Sequence, residues 1–127
     1  MAGMSREENG TEAVYCFHYL LPMTHSGDNV REHMHSHTLE ITIFISGQGL
    51  ENESFSKSEG YAKDALGRFE GQYLNDMPEF HGNATIENIG EVFFAMLSVT
   101  MEDRGLVLKR LEIGENPLQQ YVISTYI

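Results

Sequence analysis

The sequence predicts a single α+β domain, and three observations carry this prediction. Two strand-like runs lie near the amino terminus, two helical stripes occupy the middle, and two further strand-like runs close the chain. A length of 127 residues suits one domain, and a hydrophobic content of 41% suffices for a core. Strands, then helices, then strands give the order ββααββ, which is typical of an antiparallel sheet with both helices on one face.

The first two strands are predicted over Ala13–Leu21 and His33–Ser46. The first run is apolar and aromatic, and Pro22 with a loop over Thr24–Asn29 is expected to follow it. The second run alternates with a period of two residues. Its odd-numbered residues, first histidines and then leucine and isoleucines, therefore share one face of the strand.

The two helices and the closing strands follow from their own patterns. Apolar stripes with helical spacing run over Tyr61–Phe69 and Ile86–Leu97. Thr85 is available as the N-cap of the second helix, and the loop Tyr73–Asn83 separates the two helices. The chain then closes with a strand, a turn and a strand, over Gly105–Ile113, Gly114–Leu118 and Gln119–Ile127.

The composition excludes several classes of partner. Eight basic residues face 19 acidic ones, for a net charge of −11, so the chain has no basic stripe for nucleic acid. No apolar stretch approaches the roughly 18 residues that span a membrane, and no secretory signal opens the chain. Cys16 is the only cysteine, which fits a reducing, cytoplasmic compartment. Residues 1–12 are expected to form a flexible leader before one domain over residues 13–127.

The histidines are the feature that points to chemistry. Three of the six fall within five residues, and His35 and His37 lie two apart on the predicted second strand. Their imidazoles project from the same face, about 7 Å apart along the chain, and can converge on one metal ion. Antiparallel pairing is expected to bring His18 beside them as a third ligand. Three histidines with an open fourth position are typical of a catalytic zinc site.

A plain alternative stands beside this interpretation. A His-x-His pair on its own is also common on solvated surfaces. Here the pair lies on the apolar face of its strand, where unpaired imidazoles are costly to bury, and this favours a metal. His33 shares the same face but stands at the start of the strand, so it is either a solvated loop residue or a functional group.

Several short motifs together resemble one family. The motifs are CFHYL, HSHTLEITIFISG, YLNDMPEF, TIEN and GEN, at Cys16–Leu20, His35–Gly47, Tyr73–Phe80, Thr85–Asn88 and Gly114–Asn116. In this order and spacing they resemble the 6-pyruvoyl-tetrahydropterin synthase / 6-carboxytetrahydropterin synthase family over about Ala13–Tyr121. The resemblance implies the T-fold (tunnelling fold), in which subunits assemble as trimers or hexamers and their sheets close a barrel. Closure would pair the two edges of an open sheet.

The resemblance also implies roles for individual residues. The family's zinc ligands fall on His18, His35 and His37, so Zn²⁺ is the implied cofactor. The glutamate that anchors the pterin falls on Glu115, whose carboxylate can accept two parallel N–H bonds from the base. Without the resemblance, Glu115 would be interpreted as a solvated turn residue. Thr85 fits the family as a substrate-binding residue, although a helix N-cap explains it equally well.

Two departures from the family pattern bear on catalysis. The cysteine that normally precedes the paired histidines is absent, and Glu32 stands three residues before His35. This resembles the subgroup in which glutamate replaces cysteine and the product is 6-hydroxymethyl-dihydropterin; an ordinary loop glutamate is the alternative. The family's Asp-His pair aligns with Glu70 and Gly71, so the acid persists while the histidine is lost. His33 or His81 is a candidate replacement.

Two functions are carried forward. The first is a zinc-dependent lyase or synthase acting on 7,8-dihydroneopterin triphosphate or a related pterin, with Glu32 and Glu70 as catalytic residues. The alternative is a catalytically altered or inactive T-fold protein that binds zinc and a pterin-like or purine-like ligand. A triphosphate would need a local basic cluster, and only Arg31 and Lys57 lie near the motifs.

Overall fold

A computed structural model describes residues 14–47 and 55–125. It contains four strands and two helices, namely β1 (Tyr15–His25), β2 (His35–Ser46), α1 (Phe55–Gly67), α2 (Ile86–Glu102), β3 (Val107–Asn116) and β4 (Gln119–Ser124). The strands form one antiparallel sheet in the order β1-β2-β3-β4. The predicted α+β class and the order ββααββ are confirmed. The expected leader over residues 1–12 lies outside the described residues.

The core lies between one face of the sheet and the two helices. Alternation in β2 buries Leu39, Ile41, Ile43 and Ile45 on that face, as its period of two predicts. β1 and β3 contribute to the same layer. Three aromatic rings in mutual contact close it, namely Phe93 on α2 and, from the segment between the helices, Phe69 and Phe80. The core face is therefore apolar along most of its length, so polar groups at its end stand out.

Helix α2 packs closely on β3 and β4. The backbone N–H of Asn88 donates to the Thr85 hydroxyl at 3.2 Å, which makes Thr85 the N-cap. An added Cβ on Gly90 would lie 3.0 Å from the Tyr121 ring and 3.1 Å from Ile113, so glycine permits the close approach. Within residues 14–47 and 55–125, no helix is both long and apolar enough to cross a membrane.

The first strand is longer than predicted, because Pro22 does not end it. The Pro22 carbonyl accepts a hydrogen bond from the Gly71 N–H at 2.7 Å. In a strand, the N–H and C=O positions of one residue point to the same side, so the missing N–H of Pro22 faces away from β2. Proline on that side of an edge strand removes no ladder hydrogen bond. β1 continues to His25, and the loop that was expected from Thr24 begins two residues later.

Other boundaries also differ from the sequence prediction, and two of them bear on the site. Residues Arg31–His33 form a short 3-10 helix, so β2 begins at His35 and His33 lies outside the strand. β3 continues through Asn116, and only Pro117 and Leu118 form the turn to β4. Glu115 was expected in a turn and instead lies on a strand. A side chain on a strand has a fixed direction, and this decides what Glu115 contacts.

Candidate metal and ligand site

Four potential metal ligands meet where the core face of the sheet ends. They are His25, His35, His37 and Glu115, and one ligand atom from each lies within 4.8 Å of all the others. Each continues the inward-facing row of its strand beyond the last apolar residue, on β1, β2 and β3. The same alternation that builds the core therefore brings the four side chains together.

The expectation that antiparallel pairing would bring His18 beside the histidine pair is wrong. His18 pairs with Thr42, and its Nδ1 lies 3.0 Å from the Thr42 hydroxyl. It is His25 that pairs with His35 across β1 and β2. Seven residues separate His18 from His25, which is about 23 Å along a strand, and an odd separation places them on opposite faces. His18 is exposed on the face away from the helices.

The signal for His25 was present in the sequence. His25 has the same parity as Phe17, Leu21 and Met23, all of which are buried on the inward face. The prediction ended the first strand before Pro22 and therefore left His25 outside it. Extending the alternation of inward-facing and outward-facing residues past Pro22 would have placed His25 on the inward face.

Two of the imidazoles are oriented by backbone carbonyls. His25 Nδ1 lies 2.6 Å from the Ala84 carbonyl oxygen, and His35 Nδ1 lies 3.2 Å from the carbonyl oxygen of His33. A carbonyl only accepts hydrogen bonds, so Nδ1 carries the proton in each ring. In the neutral imidazole, Nε2 then presents its lone pair, which is the form that binds metals.

The position of Glu115 requires a proton or a metal ion between its carboxylate and the imidazoles. Its Oε2 lies 2.9 Å from His25 Nε2 and 3.0 Å from His37 Nε2. The Nδ1–H of His25 donates to the Ala84 carbonyl. The Nε2 atom of a neutral His25 would therefore direct a lone pair toward the Glu115 carboxylate. Two lone pairs at this distance repel, so either a second proton or a metal ion must lie between them.

The surroundings disfavour the proton on His37. Burial lowers the pKa of His37 and the imidazoles of His35 and His25 lower it further, while the Glu115 carboxylate acts in the opposite direction. The His25 side chain is only 5% exposed. Neutral imidazoles beside a carboxylate are a suitable donor set for a divalent metal, so the residues fit such an ion.

A cavity of about 300 Å³ adjoins the cluster between the start of α2 and the β3–β4 hairpin. Glu115 lines this cavity as well as reaching the histidines. The remaining walls are formed by Ile86, Glu87, Gly114, Asn116, Gln119, Gln120 and Tyr121. A ligand in the cavity would therefore share the Glu115 carboxylate with whatever occupies the cluster.

The loop after His25 is clamped by residues that the sequence analysis did not single out. The buried Asn75 side chain accepts from the Ser26 N–H at 2.9 Å and donates to the Ser26 carbonyl at 2.8 Å. The Ser26 and Tyr73 hydroxyls lie 2.6 Å apart. These bonds fix the backbone directly after His25. Asn75 forms hydrogen bonds with a backbone segment 49 residues away. Such a contact produces no regular spacing of residue types, so the sequence alone does not indicate it.

The other predicted site residues lie at varying distances from the cluster. Glu32 is on the exposed 3-10 helix that leads into β2. The Thr85 hydroxyl caps α2 one residue after Ala84, which bonds to His25. Glu70 accepts a 2.6 Å hydrogen bond from the Tyr19 hydroxyl. The next residue, Gly71, donates to the Pro22 carbonyl and lines one cavity together with His37.

Neither candidate replacement for the family's lost histidine is among the four clustered residues. His33 Nδ1 lies 2.5 Å from Asp28 Oδ2, and this hydrogen bond lowers the pKa of Asp28. His81 ends the 3-10 helix Pro78–Phe80 in the left-handed conformation. Both histidines are exposed.

Comparison with known proteins identifies the family. The sequence model of the 6-pyruvoyl tetrahydropterin synthase family matches residues 12–125. The chain belongs to this family. The recognition made from the short motifs is therefore confirmed. No curated protein sequence matches the chain at a significant level.

Solved structures of the family share the fold. The 6-pyruvoyl tetrahydropterin synthase of Caenorhabditis elegans is 15% identical, with 88% of this chain and 96% of that one covered and a TM-score of 0.66. The enzyme of Plasmodium falciparum is 12% identical, with 91% and 98% covered and a TM-score of 0.62. A variant of the Plasmodium vivax enzyme is equally similar in identity and coverage, with a TM-score of 0.64. That variant is described as a catalytic-residue mutant in which alanine replaces a glutamate.

Proposed function

We propose that the protein is a zinc-dependent lyase acting on a dihydropterin, with zinc held by His25, His35 and His37 and the pterin held by Glu115. The observation that carries this proposal is the position of Glu115. Its carboxylate reaches the histidine cluster and also lines the adjoining cavity. One pterin could then bind with its ring system at Glu115 and its side chain at the metal.

Each residue has a defined task in this proposal. Bound zinc would polarise an oxygen of the pterin side chain and lower the pKa of a hydroxyl there. The Glu115 carboxylate would accept two N–H bonds from the guanidine-like edge of the base, a charge-assisted and directional contact. The Ala84 and His33 carbonyls lie beside Nδ1 of His25 and His35, so that the Nε2 atom of each ring faces the cluster. Thr85 would bind substrate only through the hydroxyl that also caps α2.

Glu32 is proposed as the general base. It stands three residues before His35, on an exposed turn that leads directly into the strand bearing two of the proposed ligands. A carboxylate there could accept a proton from the substrate side chain. The Plasmodium vivax enzyme, in which a glutamate is described as catalytic, supports a glutamate in this role.

Glu70 is proposed as a second catalytic residue. Its carboxylate accepts a hydrogen bond from the Tyr19 hydroxyl, and the next residue, Gly71, lines one cavity together with His37. The sheet has two edge strands, β1 and β4, and pairing between copies would satisfy them. We therefore propose a homo-oligomer, a trimer or hexamer, in the cytoplasm, where the exposed Cys16 stays reduced.

The test is turnover of a dihydropterin by the zinc-loaded protein, with products separated by chromatography. Glu32→Gln should retain zinc and bind the pterin but lose at least about 100-fold in kcat, the usual range for a general base. Glu102→Gln changes an exposed glutamate at the end of α2 and is the matched control. Wild-type turnover in Glu32→Gln would remove Glu32 from the mechanism.

A second candidate function is a zinc-containing protein that binds a pterin-like or purine-like ligand without turnover. Gly71 stands where the family has a histidine, and this observation favours the alternative. Calorimetric titration with the pterin beside the turnover assay separates the two. Tight, stoichiometric binding with no product after zinc loading would support the binding protein and exclude the lyase.

A further inference from the structure

We infer that Asn75 is the positioning residue of the metal centre, because it fixes His25 from two sides without being a ligand itself. The inference rests on the metal site of the proposed function and deepens it. It follows from the place of His25 at the end of a strand and from the four hydrogen bonds of the Asn75 amide.

His25 is the proposed ligand that the sheet supports least. It is the last residue of β1, which is an edge strand, whereas His37 lies inside β2. Strand ends open more readily than strand interiors. The orientation of the His25 ring depends on the Ala84 carbonyl, which accepts from its Nδ1 at 2.6 Å. A residue that holds both the chain after His25 and the loop bearing Ala84 therefore holds this ligand.

The Asn75 side chain bonds to both of these segments. Asn75 is only 8% exposed. Its Oδ1 accepts from the Ser26 N–H at 2.9 Å, and its Nδ2 donates to the Ser26 carbonyl at 2.8 Å. The same Nδ2 lies 3.2 Å from the carbonyl oxygen of Gly82, two residues before Ala84, and 3.1 Å from Asn29 Oδ1. One amide thus joins the end of β1 to the loop that orients the His25 ring.

The bonding pattern suits an amide at position 75. The Ser26 N–H requires an acceptor, while the carbonyls of Ser26 and Gly82 require donors, and a primary amide supplies both. The two loops also approach closely. Asn29 and Gly82 have positive φ angles of 59° and 77°, and an added Cβ on Gly82 would lie 3.0 Å from Asn29 Nδ2. Loss of the amide would leave these buried groups unpaired and loosen both loops.

The consequence for the metal is a matter of preorganisation. A ligand that is held in place before the ion arrives costs less to order when the ion binds. Residues that orient metal ligands typically contribute about 10- to 100-fold to metal affinity. Asn75 is not among the four clustered residues, so its contribution must pass through His25.

The experiment measures the zinc affinity of Asn75→Ala by competition with a chromophoric chelator, together with the d–d absorption of the Co²⁺-substituted protein. Zinc affinity should fall about 10- to 100-fold. The Co²⁺ bands should shift, because they report how the ligands are arranged around the ion. Wild-type zinc affinity and an unchanged Co²⁺ spectrum in Asn75→Ala would overturn the inference and leave the proposed function standing. Failure of the wild-type protein to bind zinc would overturn the proposed function, and this inference with it.

Ile45→Ala is the matched control for a general loss of stability. Ile45 is fully buried on β2, eight residues from His37 and thus about 26 Å along the strand. This variant should be less stable in urea denaturation but keep the zinc affinity and the Co²⁺ spectrum of the wild type. An equal loss of zinc affinity in Ile45→Ala would show that Asn75 acts through stability alone, and would contradict the inference.

A double variant tests whether Asn75 acts through His25. In the His25→Gln background, Asn75→Ala should cause no further loss of zinc affinity, because the imidazole that it positions is gone. A further loss as large as in the wild-type background would contradict the inference. If Asn75→Ala is poorly folded, Tyr73→Phe supplies a milder test, since it removes only the 2.6 Å contact between the Tyr73 and Ser26 hydroxyls. Zinc affinity should then fall severalfold, and wild-type affinity in Tyr73→Phe would count against the inference.

Discussion

Replacing His25 should abolish tight zinc binding, whereas replacing His18 should leave it intact. His25 Nε2 faces the cluster and its Nδ1 is fixed by Ala84, while His18 lies on the opposite face beside Thr42. Zinc binding in small structural sites is worth about 10–16 kcal/mol. Shared among three or four ligands, this is about 2.5–5 kcal/mol each, or a loss of roughly 60- to 5,000-fold in affinity.

The assay is competition with a chromophoric zinc chelator at neutral pH, for His25→Ala, His25→Gln and His18→Ala. His25→Ala leaves the Ala84 carbonyl without its partner, at a cost of about 1–3 kcal/mol in stability. The amide of His25→Gln can still donate, so this variant separates zinc affinity from folding. Circular dichroism in the presence of chelator gives the fold of each variant. Wild-type zinc affinity in a folded His25→Gln protein, or loss of zinc in His18→Ala, would refute the assignment.

Three further predictions concern the fold around the site. Phe93→Ala should reduce the free energy of unfolding by about 3–5 kcal/mol, because Phe93 is fully buried, and urea denaturation measures the loss. Thr85→Ala should cost about 0.5–2 kcal/mol in the same assay, because the Asn88 N–H loses its cap; Thr85→Ser should restore most of it. Burial and the bond to Glu70 raise the pKa of Tyr19 to about 12. The neutral phenol therefore contributes stability below pH 10 that is lost as pH rises toward 12. Absorbance titration of Glu70→Gln should show Tyr19 ionising at lower pH, and an unchanged titration would contradict the role of Glu70.

The fold was largely predictable because its signals are local. The period of two in β2 and the stripe of α2 each depend on neighbouring residues alone. Both elements form, although β2 begins two residues later and α2 ends five residues later than predicted. The errors lie at boundaries that depend on distant partners. The Gly71 N–H meets the Pro22 carbonyl from 49 residues away, and no local pattern indicates such a partner.

The site was predicted in part for the same reason. His35 and His37 follow from one strand, and they do lie together with Glu115. The third histidine depended on the register between two strands, which the sequence of neither strand specifies alone. A misplaced end of β1 shifted the choice from His25 to His18.

The four clustered side chains come from three strands, and His25 and Glu115 are 90 positions apart. Such a site cannot form in an unfolded chain, so an ion bound there would bind only the native state. At 1,000 times its dissociation constant, it would add about 4 kcal/mol to the stability of the fold. It would also join the first strand to the third, and the melting temperature should then fall when a chelator is added. The amount of folded protein in a cell would in this way depend on the supply of the metal.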